Sequence, residues 1–255
     1  MTVERATSFG SVAEDYDRFR PGPPARSMDW LIPPGCAVAM DLAAGTGLFT
    51  RALAERVPEV IAVEPDARMR AVLAERSPRV RALEGTAEAI PLAEASLDAA
   101  FVSAAWHWFD PPIALAELGR VLRDGGRLGV VWTSRDRSVD WVAELDPARL
   151  ADGSSADSGD RRLRRDLKSG FDASVAEHGG FGPVSSAEFT FTRTMPLDAA
   201  AAWTGTYSQV ITATPEDRSA RLDRARAILA QHADDSGTVE IPMVSLCWRT
   251  DRLPR

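Results

Sequence analysis

Apolar and polar positions along this chain change period several times, and each change marks an element. Residues 37–44 (AVAMDLAA) form a short apolar run that ends in a glycine-rich turn. Residues 60–63 are rich in β-branched side chains and stop at Glu64, and a weaker run at 80–83 stops at Gly85. A longer run covers 97–105, and another covers 128–132 after Gly125-Gly126. Short runs that are apolar on both faces predict interior strands of a parallel sheet.

Helical periods lie between the runs. Residues 48–56 follow the glycine-rich turn. Asp66 stands where a helix cap belongs, ahead of Met69, Val72 and Leu73 on one face. Asp110-Pro111 is a good helix start, since proline tolerates the first helical turn. Leu115, Leu118 and Leu122 then share a stripe, and Asp124-Gly125-Gly126 is expected to end that helix. Strands alternating with helices predict an α/β fold, a doubly wound Rossmann-like sheet with right-handed crossovers.

The second half reads differently. Residues 152–160 (DGSSADSGD) form a polar loop. Residues 161–177 predict an amphipathic helix with Leu163, Leu167, Phe171 and Val175 at four-residue spacing. Residues 187–194 alternate as a strand does, 215–231 read as a helix, and 239–250 read as a final strand with Pro242 near its start.

Composition narrows the class. The chain has 255 residues, 45% hydrophobic and 26% charged, as a soluble globular protein does. Its formal net charge of -7 argues against nucleic acid as a partner. Cys36 and Cys247 stand outside any CxxC or Cys/His cluster, so reduced thiols and no bound metal are expected. No apolar stretch of about 20 residues exists to cross a membrane, and residues 1–22 are charged without an apolar signal region. The expectation is a cytoplasmic protein with no membrane partner.

The sharpest chemical signal is Asp41-Leu-Ala-Ala-Gly45-Thr-Gly47, directly after a strand and before a helix. Glycines there allow a sharp turn and close approach of a ligand to the backbone. The next strand stops at Glu64, about 20 residues on, where an acid can accept hydrogen bonds from ribose hydroxyls. This spacing predicts a nucleotide-like cofactor. A dinucleotide site usually carries a third glycine, and this chain has Thr50 there. Asp41 would repel a pyrophosphate but could accept a bond from an ammonium group; its other reading is a brace for the turn. After the fourth strand comes Trp106-His107-Trp108-Phe109. Aromatic faces suit a sulfonium cation or a flat substrate. His107 is the candidate general base, with packing as its alternative, and His178 and His232 read as surface residues.

Taken together, DLAAGTG at 41–47, VEPDARM at 63–69, GTAEAIPL at 85–92, LDAAFVSAAWHWFD at 97–110 and VLRDGGRLGVVW at 121–132 resemble class I S-adenosylmethionine-dependent methyltransferases. Phe9, Tyr16 and Arg20, in FGSVAEDYDRFRPG, resemble that family's N-terminal lid. The resemblance implies a seven-stranded sheet with a lid over residues 1–30 and a methyltransferase domain over 31–255. Helical insertions at about 134–180 and 195–236 would cover an acceptor pocket. It implies that Asp41, Ala43, Gly45 and Gly47 hold the methionine part, Ala43 standing where many relatives have glycine. Glu64 would hold the ribose. Pro65, Asp66 and Met69 would flank the adenine, and Thr86, Ala87 and Glu88 would border it from the third strand. Ser103 and Ala104 would pass beside the methionyl group, and Tyr16 and Arg20 would close over it. Trp106, His107 and Trp108 would line the pocket of a small-molecule acceptor. The implied cofactor is S-adenosyl-L-methionine, leaving S-adenosyl-L-homocysteine, with no metal. Two rivals stay open on the residues alone: a nicotinamide-dependent oxidoreductase on a similar fold, and a non-methylating S-adenosylmethionine-binding protein. Oligomeric state is not readable from the sequence.

Overall fold

The structure, a computed structural model, describes residues 22–152 and 170–254. Helix α1 (Ala25–Leu31) leads into β1 (Val38–Leu42), α2 (Leu48–Ala54), β2 (Glu59–Val63), α3 (Ala67–Arg76) and β3 (Arg81–Leu83). Then come β4 (Leu97–Ser103), a short 3-10 turn (Trp106–Trp108), α4 (Pro111–Val121) and β5 (Leu122–Arg135). Helices α5 (Asp140–Glu144) and α6 (Pro147–Asp152) follow, and residues 170–178 form α7. The chain continues through β6 (Ser185–Pro196), α8 (Leu197–Thr204), α9 (Ser208–Ile211), α10 (Pro215–Ala230) and β7 (Thr238–Asp251).

The seven strands form one sheet in the order β3-β2-β1-β4-β5-β7-β6. The first five are parallel, whereas β7 runs antiparallel to β5 and β6 antiparallel to β7. Strand order therefore reverses between β1 and β4, after β1 has fed β2 and β3 to one side.

Side-chain alternation explains the layers. Met40, Leu42, Ala100, Val102, Leu128 and Val130 point to one face and pack under Leu115 and Leu118 of α4 and Phe171 and Val175 of α7. Ala39, Ala99, Phe101 and Val131 point to the other, against Met28 and Leu31 of α1 and Phe49 and Leu53 of α2. Each of these fully buried leucines contributes about 1.5–3 kcal/mol of transfer free energy. A third cluster joins Trp203, Leu229, Leu145 and Leu150 to Ile241 and Met243, and so fixes the helical cover to the far end of β7. Arg135, at the end of β5, helps: its guanidinium donates to Ala200 O and Thr204 Oγ1, both at 3.1 Å, and lies over the Trp203 ring.

One stop signal is overturned. Gly125-Gly126 does not end α4; the helix ends at Val121 and β5 begins at once. The glycines lie within the strand because the distant Arg252 supplies backbone partners: Gly125 N–H donates to Arg252 O, and Gly126 O accepts Arg252 N–H. Gly125 takes φ of 74° there, which glycine adopts without a Cβ penalty. Among the described residues, no helix is long and apolar enough to cross a membrane.

Candidate active site

The carboxyl ends of β1, β2 and β4 lie side by side, Leu42 being paired with both Val63 and Val102. This is the switch point of the sheet, where open α/β folds bind their ligands.

The exit of β1 is a chain of left-handed residues. Ala43, Gly45 and Gly47 take φ of 57°, 58° and 84°. Ala44 N–H donates to Val63 O at 3.1 Å, and Gly47 N–H to Ala44 O at 3.0 Å. Gly47 is needed twice over, because a Cβ there would come within 2.9 Å of Leu73 Cγ on α3. A Cβ on Gly45 would meet nothing within 4 Å, so a side chain there would project into open space. Ala43 holds the left-handed conformation at a cost of about 1–2 kcal/mol.

Glu64 ties two loops together. Its Oε2 accepts Gly45 N–H and its Oε1 accepts Asp66 N–H, both at 2.9 Å. The residue is only 7% exposed, and burial raises its carboxyl pKa against those two amides. This clamp was not readable from spacing, since it exists only because β1 and β2 pair in register. Arg70 completes it by donating to Glu64 O at 2.8 Å and Pro65 O at 2.7 Å.

Asp41 is fully buried on β1. Its Oδ2 accepts the Thr50 hydroxyl at 2.6 Å, while its Oδ1 is buried with no hydrogen-bond partner. Burial, aided by the charge of Glu64 and opposed by Thr50, pushes its pKa up to about 7. Thr50 thus occupies the third-glycine place with a function of its own. Asp66 caps α3, accepting Arg68 N–H at 2.8 Å and Met69 N–H at 3.4 Å, and its carboxyl is held low by the Arg68 guanidinium. Pro65 is exposed beside it and Met69 is buried.

The residues expected on the third strand lie beyond it. β3 ends at Leu83, and Thr86 to Glu88 belong to a turn in which Thr86 bridges Ala89. Thr86 is exposed, Ala87 is buried in the core, and Glu88 Oε1 accepts Asp110 N–H at 3.0 Å. Tyr16 and Arg20 lie outside the described residues, as does the part of the predicted 161–177 helix before residue 170.

At the exit of β4, Ser103 is half-buried and Ala104 takes φ of 54°, its N–H donating to Val131 O at 2.8 Å. Trp106 does not line a pocket. It is 5% exposed, with its ring edge-on to Phe171 at 4.9 Å and to Phe109 at 5.7 Å. The 3-10 turn points Trp106 into the core and leaves His107 facing out, with Trp108 half-buried. Its ring lies 4.4 Å from that of Trp108 and 5.1 Å from that of Trp132. Trp132, which motif reading placed only in a strand block, is a wall residue because Val131 pairs with Ser103. The imidazole has no hydrogen bond among the described residues. His107 as a residue is exposed, yet its ring rests on two indoles; desolvation there disfavours the imidazolium and pulls the pKa below its ordinary 6.5.

The other titratable candidates stand apart. His178 Nδ1 accepts Gly180 N–H at 3.2 Å, and His232 stacks on Trp141. Both thiols are buried, which pushes Cys36 to about 11 and Cys247 to about 12 and leaves them poor nucleophiles.

Residues 40–130 match a family described as a methyltransferase domain. The chain is 39% identical to an uncharacterized methyltransferase of Mycobacterium tuberculosis over 254 residues, which is 98% of each chain. It is 29% identical to an uncharacterized methyltransferase-like protein of Schizosaccharomyces pombe, over 95% of this chain and 93% of the other. A solved structure from Anaeromyxobacter dehalogenans, titled as a type II methyltransferase, superposes with a TM-score of 0.66 at 27% identity, covering 93% of this chain and 100% of that one. A doubly wound sheet with a glycine turn and two buried acids at its switch point is an architecture found in proteins that bind nucleoside-containing ligands. The chain belongs to the class I S-adenosylmethionine-dependent methyltransferase family.

Proposed function

We propose that this chain binds S-adenosylmethionine over the carboxyl ends of β1 and β2 and transfers its methyl group to a small molecule held over β4 and β5. The observation that carries the cofactor reading is Asp41. Its Oδ1 is a buried acceptor without a donor, next to a glycine turn whose Gly45 faces open space. A buried unsatisfied carboxylate oxygen costs about 1–3 kcal/mol or more, and an ammonium donor removes that cost. The residues present therefore fit the methionine end of the cofactor.

Bound there, the cofactor supplies a methyl group already activated on a sulfonium. The chain's own residues do the rest. Asp41 takes the ammonium. Glu64, with each oxygen already accepting one amide, keeps lone pairs for the ribose hydroxyls. Gly45 leaves room for close approach of the ligand. Pro65 and Met69 border the base, and Asp66 fixes that wall by capping α3. Ser103 and Ala104 carry the end of β4 past the methionyl group. With an activated donor, alignment of nucleophile, methyl carbon and sulfur supplies much of the rate.

Calorimetry with S-adenosylhomocysteine tests the cofactor site. Mass spectrometry of candidate acceptors incubated with methyl-labelled S-adenosylmethionine tests the transfer. A folded protein that binds no S-adenosylhomocysteine at millimolar concentration would overturn the reading.

A further inference from the structure

His107, Trp108 and Trp132 make a continuous aromatic wall at the exits of β4 and β5. His107 is exposed and the two tryptophans are half-buried, so their rings are not consumed by the core as that of Trp106 is. The His107 ring meets Trp108 at 42° and Trp132 at 64°, which leaves indole surface on both sides of the imidazole. Trp106 beneath, edge-on to Phe171 at 88°, holds the 3-10 turn in place.

The wall carries no charge. Apart from the imidazole, residues 103–109 and 132–134 hold no titratable side chain. Acids close to the wall are engaged by their own neighbours: Asp110 caps α4 by accepting Ile113 N–H, Glu88 accepts Asp110 N–H, and Asp136 accepts the Ser138 N–H and hydroxyl. Arg135 alternates to the opposite face of β5, towards Thr204 and Trp203. On the paired strand β7, Trp132 has Leu246 beside it and Val244 follows, and beyond Leu246 in the same row stands the exposed Glu188 of β6. An acceptor bearing a carboxylate or a phosphate would find no counter-charge on this wall among the described residues, would face the carboxylate of Glu188 across β7, and would lose hydration without return.

Resting on the function proposed above, we infer that the acceptor is a planar aromatic or conjugated molecule that bears a hydroxyl and no anionic group, seated on Trp108 and Trp132 with the hydroxyl directed to the His107 imidazole. Flat rings gain about 0.5–1.5 kcal/mol per aromatic contact beyond the area they bury. Among the described residues of 103–109 and 132–134, the His107 imidazole nitrogen is the one titratable proton acceptor. As the acceptor oxygen forms its bond to the methyl carbon, its O–H bond breaks and the proton passes to that nitrogen. The methyl–sulfur bond breaks with its electron pair left on sulfur, and the products are a methyl ether, a neutral thioether and an imidazolium that releases its proton to solvent on its exposed side.

Equilibrium dialysis with 2-naphthol, 2-naphthoate and cyclohexanol tests this without turnover, on the protein saturated with S-adenosylhomocysteine. The expected result is that 2-naphthol binds at least tenfold tighter than either of the others, and that Trp132→Ala and His107→Ala each weaken it at least fivefold. S-adenosylhomocysteine affinity should stay within about threefold in both variants. The exposed His107 serves as the second variant should Trp132→Ala fail to fold. Equal or tighter binding of 2-naphthoate or cyclohexanol overturns the proposal, as does 2-naphthol affinity unchanged in His107→Ala. If S-adenosylhomocysteine binds and 2-naphthol does not, the acceptor inference alone falls. If S-adenosylhomocysteine itself does not bind, the cofactor reading falls with it.

Discussion

Asp41 couples cofactor binding to pH, and the size of the effect can be worked from its surroundings. Its carboxyl sits at about 7 rather than the ordinary 3.8, because the charged form is buried beside Glu64. If the ligand's ammonium bonds to the carboxylate, only the ionised fraction of the free protein is ready to bind. That fraction is about one-eleventh at pH 6 and about three-quarters at pH 7.5, so the association constant for S-adenosylhomocysteine should rise about eightfold over that interval. Proton release on binding should accompany it, seen as a calorimetric enthalpy that varies with the ionisation enthalpy of the buffer. Stability runs the opposite way. The folded pKa is raised, so the folded state holds more protons than the unfolded chain between pH 3.8 and about 7. Stability is therefore fully present below that window and is lost as pH rises through it. Three pH units at about 1.4 kcal/mol each give about 4 kcal/mol at pH 8. Asp41→Asn removes that cost but leaves a buried amide donor, worth about 1–3 kcal/mol, so the net gain at pH 8 should be about 1–3 kcal/mol in urea unfolding. The same variant should lose affinity and its pH dependence together. Wild-type affinity that is flat from pH 6 to 7.5, with no buffer-dependent enthalpy, would refute the assignment of the ammonium to Asp41.

Glu64→Ala should weaken S-adenosylhomocysteine binding by about 2–3 kcal/mol and also lower thermal stability, since Gly45 N–H and Asp66 N–H lose their acceptor; a variant with unchanged affinity in calorimetry would remove Glu64 from the site. Gly45→Val should abolish binding while keeping most of the helical circular dichroism, because a branched side chain resists φ of 58° and fills the open space in front of it. Full affinity in that variant would place the cofactor elsewhere. Ala43→Gly should stabilise the fold by about 0.5–1 kcal/mol, the relief of a left-handed alanine exceeding the added chain entropy of glycine. A lower urea midpoint in Ala43→Gly would show that the turn is not strained there.

The limits of reading the chain without its structure are clearest where two residues of similar sequence context part company. Residues 37–44, 60–63 and 97–105 were legible as strands because each apolar run stops at a turn or an acid, and the glycine turn was legible from its place between a strand and a helix. Trp106 and Trp108 looked alike, flanking His107 after the same strand. Period decides which face a side chain takes only while the period lasts, and the 3-10 turn at Trp106–Trp108 breaks it. One indole therefore meets Phe171 in the core and the other stays at the surface, a division set by α7, some 60 residues on. Trp132 was hidden for the complementary reason. It reads as one more apolar residue of a strand until Val131 is paired with Ser103, and only that register puts its ring beside His107. The Glu64 clamp and the brace from Thr50 to Asp41 follow the same rule. The chemistry of each group was visible in its type and spacing. What it touches is a property of strand register and helix packing, because a contact between distant residues leaves no period in the sequence of either partner. The candidate acids were thus named early, whereas the reason Asp41 is poised to change charge near neutral pH, its burial beside Glu64, came only with the pairing of β1 and β2.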